Sequence, residues 1–249
     1  MKKIAGISMA ALAVALFANT ASAQLGFMPV IVYPGGYQGL NIQAGAAMGL
    51  SDDTKGEKAD GSTSQAMAFG GMVGFGAKMF NINAGVASVN TKNDGINKPM
   101  AFGGNAQVTV LKPAESPLAV NVFGGFATWS IKTDPGGTKL GSQTNIPFGV
   151  GIGFAPPMTG SVGFEVWAAP RGNLLSTKPE GGSSVSQFGF GVSGGVNVNF
   201  AMGFGIYAAL DWATFAEKTE NSVITAEKFS PMVVGGGLRY NFKTPGAGM

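Results

Sequence analysis

Neither cysteine nor histidine occurs among the 249 residues. Without cysteine the chain is neither a disulfide scaffold nor a lipid-anchored lipoprotein. Without histidine the Ser-His and Asp-His arrangements of hydrolases cannot be built, and among the remaining carboxylates and lysines no spacing stands out as a catalytic set. Charge is scarce too, at 12% of residues. Beyond the first two dozen residues no apolar run is long enough for a membrane-spanning helix. The reading therefore assigns no catalytic residue, no cofactor, no metal site and no nucleic-acid partner.

What is present begins with an export signal. Lys2 and Lys3 precede an apolar run from Ile4 to Ala18, followed by Ala21-Ser22-Ala23. That order reads as a secretory signal over residues 1–23, cleaved before Gln24. Residues 24–37, including the apolar stretch LGFMPVIVYPGG, fit no strand and are expected to be a periplasmic lead-in, with an extra strand as the alternative.

Glycine is abundant, at 41 residues, and the charges are clustered. Five polar segments (51–63, 90–98, 132–142, 172–184 and 216–228) hold 19 of the 29 charged side chains. Between them lie pairs of alternating segments joined by short connectors at 77–79, 112–117, 155–160 and 199–203. One hairpin plus one long loop repeats about every 40 residues.

The alternating segments read as strands because apolar residues recur at every second position. Leu40, Ile42, Ala44, Ala46 and Met48 oppose Asn41, Gln43, Gly45, Ala47 and Gly49. About ten such segments occur: 38–50, 64–76, 80–89, 99–111, 118–131, 143–154, 161–171, 185–198, 204–214 and 229–242. An apolar band of about 25 Å crossed at a tilt of about 40° requires roughly ten residues per strand, and each segment meets that length. Aromatics gather at both ends. Phe75, Phe80, Phe154, Phe200, Phe204, Tyr240 and Phe242 lie beside the short turns; Phe102, Trp129, Phe148, Phe188 and Trp212 lie toward the long loops. Two features break the pattern. Trp129 and Ile131 have the opposite parity to Leu118, Val120 and Val122, which predicts a bulge near Gly124 and Gly125. Pro147 falls inside a strand and removes one ladder hydrogen bond.

A bilayer forbids unpaired backbone groups, so extended chain spans it only as a closed barrel. The sequence resembles the bacterial outer-membrane β-barrels over nearly all of residues 38–242: an all-β, transmembrane, antiparallel up-and-down barrel of about ten strands, with short periplasmic turns and long extracellular loops. Leu238, Tyr240 and Phe242 match that family's C-terminal strand signature, which the resemblance assigns to recognition by the barrel-assembly machinery. Residues 243–249 then form a periplasmic tail. The resemblance further implies residence in the outer membrane, contact with its lipids and, as activity, narrow porin-like diffusion of small hydrophilic solutes or ions. A non-conducting barrel acting through its loops is the alternative, and the oligomeric state stays open.

Four charges lie inside strands: Glu165, Arg171, Asp211 and Arg239. Their phase turns them inward, since a lipid-facing Arg or Lys at mid-depth costs about 2–4 kcal/mol. Two lumenal pairs are expected, Arg171 with Asp211 and Glu165 with Arg239, which either brace the interior or select solutes. Trp167 and Tyr207 are also expected inward, beside many small residues. Either the tight curvature of a narrow barrel or an open water path would explain those glycines. The GxGxxG spacing of Gly189, Gly191 and Gly194 lies within a strand-period run, so it is not a dinucleotide site. The acidic run Asp52, Asp53, Glu57 and Asp60 is interrupted by Lys55 and Lys58 and reads as a solvated loop.

Overall fold

The computed structural model describes residues 27–77, 79–113, 116–156, 160–220 and 223–242. The expected signal at 1–23 and the tail at 243–249 lie outside the described residues. Ten strands are arranged around one closed barrel: β1 (Gly39–Gly49), β2 (Met67–Ala77), β3 (Phe80–Asn90), β4 (Met100–Leu111), β5 (Leu118–Lys132), β6 (Lys139–Phe154), β7 (Val162–Pro179), β8 (Val185–Phe200), β9 (Phe204–Phe215) and β10 (Met232–Phe242). Each strand is antiparallel to its chain neighbours, and β1 closes on β10 from Leu40↔Phe242 to Gly49↔Val233. Closure leaves no edge strand, which satisfies the backbone across an apolar band. The expectation of an up-and-down barrel of about ten strands is met.

The alternation seen in the sequence sorts side chains to two faces. Leu40, Ile42, Val73, Ile82, Val150, Val166 and Leu238 are exposed on the outside, whereas Asn41, Gln43, Asn83, Gln107, Asn121 and Asn197 are buried inside. Phe75, Phe80, Phe154, Phe204, Tyr240 and Phe242 form an outer-surface ring at the turn end, and Phe102, Phe148, Phe188 and Trp212 at the loop end. Trp129 is a correction: it is only 2% exposed and faces the lumen. β5 keeps one register with β6 from Leu118↔Phe154 to Ile131↔Gly141, so the bulge expected at Gly124 and Gly125 does not form. With parity unbroken, Phe126 faces outward and Trp129 and Ile131 turn inward, into an apolar cluster with Phe27. Pro147 pairs with Asn173 of β7, while the β5 ladder skips the position opposite it, where its missing N–H would have donated.

The expected loop at 172–184 is largely strand, and strand also takes the last four residues of the one at 132–142. β6 starts at Lys139 and β7 runs to Pro179, with pairs such as Ser142↔Lys178 and Gln143↔Thr177 carrying the ladder beyond the apolar band. Polar composition marks where a strand leaves the apolar band, but the ladder continues for as long as both partners remain extended. The wall formed by β5 to β8 therefore stands taller than the rest. At that end the segment after β1 carries a short 3-10 turn (Asp52–Thr54) and a small hairpin pairing Lys55–Glu57 with Thr63–Gln65. Hydrogen bonds join neighbouring segments at this end: Glu57 N donates to Asn93 Oδ1 at 2.6 Å, Asp134 N to Gly95 O at 2.8 Å and Met232 N, at the start of β10, to Ser51 Oγ at 3.0 Å.

The acidic run is used locally. Asp52 takes Lys55 Nζ at 2.6 Å, which holds its carboxyl below the usual carboxylate range. Asp60 accepts from both the hydroxyl and the N–H of Ser62, with the same direction of shift, and Asp53 accepts from Ser230 N. The GxGxxG stretch stays within β8.

Candidate functional site: a filled lumen

Residues 27–37, expected as a periplasmic lead-in, lie inside the barrel. Phe27, Met28, Val30, Ile31, Val32 and Tyr33 are all buried, at 0–5% exposure. The path runs from Phe27, packed against Ala66, Val89, Trp129, Ile131 and Val233 at the loop end, to Tyr37 at the turn end. Pro29 and Pro34 favour extended backbone before them and need no N–H acceptor, which suits a strand-like segment with no ladder partner. A turn at Tyr33–Gly36 (Gly36 N to Tyr33 O, 2.8 Å; Gly36 φ 69°) reverses the chain into β1.

A segment outside any sheet must satisfy its backbone by other means, and the amide-lined wall supplies the partners. Val30 N donates to Asp211 Oδ2 and Tyr33 N to Gln107 Oε1, both at 2.9 Å. Gln107 Nε2 reaches Ile31 O at 3.4 Å, Thr109 Oγ1 donates to Pro34 O at 3.0 Å, and Asn81 Nδ2 to Tyr37 O at 2.9 Å. The two tyrosines are anchored as well: Tyr33 Oη donates to Gln43 Oε1 at 2.9 Å and Tyr37 Oη to Asn83 Oδ1 at 2.6 Å.

The inward glycines now have a specific role. A Cβ on Gly235 or Gly153 would lie 2.9 Å from Pro29 or Pro34 respectively, and one on Gly74 would lie 2.2 Å from Tyr37 Oη. The absence of side chains there makes room for the inserted segment. Gly45 serves a wall residue instead, since its Cβ would come within 2.2 Å of Tyr207 Oη. Tyr207 and Trp167 are inward, as expected, and pack with Val30 to Tyr33. Beside Met28 and Ile31 the gap between segment and wall is about 10 Å³, the lower edge of what one water occupies.

All four charges expected inward are buried in the lumen, but among the described residues only two of them pair. Arg171 Nη2 meets Asp211 Oδ1 at 2.6 Å with both side chains fully buried. Ser193 completes a triangle, accepting from Arg171 Nη1 and donating to Asp211 Oδ2, each at 2.6 Å, and Asn173 Oδ1 accepts from Arg171 Nε. The second expected pair does not form. Glu165 accepts instead from Asn197 Nδ2 (3.0 Å) and Gly35 N (3.5 Å), while Arg239 donates to Asn199 Oδ1 and lies 4.9 Å from the centre of the Tyr33 ring. The inserted segment accounts for the difference, since Tyr33 and Gly35 occupy the partner positions. Leu238, Tyr240 and Phe242 face outward on β10, opposite Ala44, Ile42 and Leu40.

Sequence reasoning placed this segment outside the barrel, as a lead-in, rather than in the lumen. Its signal was an apolar stretch without alternation next to a barrel whose inward positions were unusually small.

No protein-family model matches the chain, and no curated protein matches it. Among solved structures, the chain is similar to the β domain of the Bordetella autotransporter BrkA (11% identity over 84% of this chain and 100% of that one, TM-score 0.51). It is also similar to the translocator domain of the autotransporter NalP from Neisseria meningitidis (13% identity, 83% and 90% covered, TM-score 0.47). A third is the outer-membrane protease OmpT from Escherichia coli (10% identity, 87% and 100% covered, TM-score 0.41). At these identities the likeness is one of fold: the architecture is that of the bacterial outer-membrane β-barrels.

Proposed function

We propose that this protein is an outer-membrane barrel that rests closed, with its own N-terminal segment as the plug and its loop end available for contacts at the cell surface. The observation that carries the reading is the burial of residues 27–33, hydrogen-bonded to Gln107 and Asp211 of the wall. A lumen filled by side chains passes no hydrated solute. In this reading the turn end is periplasmic, residues 1–23 are removed on export, the outward aromatic rings contact lipid, and Leu238, Tyr240 and Phe242 present the strand read by the assembly machinery.

A second reading, porin-like conduction, draws on the lining. The wall carries Asn41, Gln43, Asn81, Asn83, Asn105, Gln107, Asn121 and Asn197 facing inward, a polar surface that water would wet once the segment withdrew. Planar-bilayer recording distinguishes the two. Full-length refolded protein is expected to stay silent at every voltage, and a variant lacking residues 27–36 is expected to conduct. Steady conductance by the full-length protein would overturn the closed reading in favour of the porin-like one.

A further inference from the structure

At the turn end the inserted segment and the wall enclose an open cavity of about 370 Å³, lined by Arg239, Glu165, Lys112, Asn199, Tyr33 and Phe204 among others. Its charges have an unusual arrangement. Arg239 is 5% exposed and Glu165 8%, yet no ion pair joins Glu165 to Arg239 or to Lys112. Among the described residues Arg239 Nε has no hydrogen-bond partner. Lys112 Nζ is committed to Gly35 O at 2.7 Å. Buried charges of opposite sign normally close on one another, because each left alone bears its desolvation cost unpaid by Coulomb attraction. Here the same barrel closes Arg171 on Asp211 at 2.6 Å and leaves the second pair open around a cavity.

We propose that this cavity binds a small zwitterion, an amino acid or short peptide, with its carboxylate toward Arg239 and its ammonium toward Glu165. A simple anion would meet the Glu165 carboxylate in the same space, and a simple cation would meet Arg239 and Lys112. A molecule carrying both signs completes each. The cavity volume lies within the range of small-molecule sites. Tyr33 and Gly35 belong to the inserted segment, so an occupant touches plug and wall together. The inference rests on the turn end being periplasmic and is independent of whether the barrel conducts.

The test is calorimetric titration of the folded full-length protein in detergent with L-leucine and L-leucylglycine. Two single-charge analogues, 4-methylpentanoate and isopentylamine, serve as controls. Binding of at least one zwitterion is expected, with each analogue at least tenfold weaker. Glu165→Gln should bring L-leucine and 4-methylpentanoate to within a few-fold of each other, and Arg239→Gln should weaken zwitterion binding at least tenfold. Heat-dependent gel mobility reports whether each variant folds, and if one does not, the wild-type comparison decides alone. Absence of binding by both zwitterions, or equal binding of either analogue, overturns the proposal. Binding by a chain that also conducts would overturn the closed-barrel reading and leave the site standing.

Discussion

The loop-end and turn-end halves of the lumen solve the same problem differently. In the first, Arg171 and Asp211 lie in direct contact and each guanidinium nitrogen donates to Asp211, Ser193 or Asn173. In the second, Glu165 and Arg239 are equally inward but separated by a segment from elsewhere in the chain. Both halves carry charge pairs of zero net charge, so pairing is set by what else enters the space rather than by the strands alone. The loop-end half is built as structure, and the turn-end half retains capacity for a partner.

The largest effect should come from breaking the closed pair. Asp211→Ala strands the Arg171 guanidinium in a dry interior and also removes the acceptor for Val30 N. A loss of about 3–5 kcal/mol is expected for a buried pair left with one partner, measured by equilibrium urea unfolding in lipid vesicles. The double variant Arg171→Met/Asp211→Leu should recover most of that loss, because it removes the stranded charge. A double variant as unstable as the single would show that the pair contributes more than the cost of orphaning it.

Next comes the hold on the inserted segment. Gln107 Oε1 accepts from Tyr33 N and from Asn121 Nδ2 (3.0 Å), and its amide reaches Ile31 O. Gln107→Ala is expected to cost about 1–3 kcal/mol through unsatisfied buried donors. It should also raise hydrogen exchange at residues 27–37 without changing exchange in β1 to β10. Uniform exchange throughout would mean that segment and barrel unfold as one unit.

How much of this could be read from the sequence follows from where periodicity applies. Strand phase placed Glu165, Arg171, Asp211 and Arg239 inward, since period-two alternation is a property of each strand by itself. The same alternation failed for residues 27–37, which have two prolines and a continuous apolar run, because a segment buried on all sides has no polar face to display. The Glu165–Arg239 expectation failed for a related reason: it treated the lumen as empty. Trp129 shows the complementary error. An aromatic near a strand end reads as a lipid-interface residue, but its own parity already pointed inward, and only the assumed bulge turned it out. The inward glycines were legible as small positions, while the Pro29, Pro34 and Tyr37 atoms they accommodate come from a distant part of the chain.

Arg239→Gln sharpens the comparison from the open side. With no ion pair to lose, the variant gives up the contact with the Tyr33 ring and the bond to Asn199, so about 1 kcal/mol is expected. A loss as large as that of Asp211→Ala would mean that Arg239 and Glu165 are coupled as tightly as the closed pair.

The smallest effect belongs outside the lumen altogether. Lys139 Nζ meets Glu180 Oε2 at 3.2 Å on the tall wall, with side chains 46% and 57% exposed. It is an ion pair of the same formal kind as Arg171–Asp211, but it stays in water, where attraction is screened and two long side chains must be held in place. Lys139→Ala is expected to cost about 0.2–1 kcal/mol at low salt, and high salt should erase the difference from wild type. The Asp211→Ala loss should persist at the same salt concentration, because counterions do not reach a dry pair. Equal salt sensitivity in the two variants would place water beside Arg171 and remove the distinction between a sealed loop-end half and an open turn-end half.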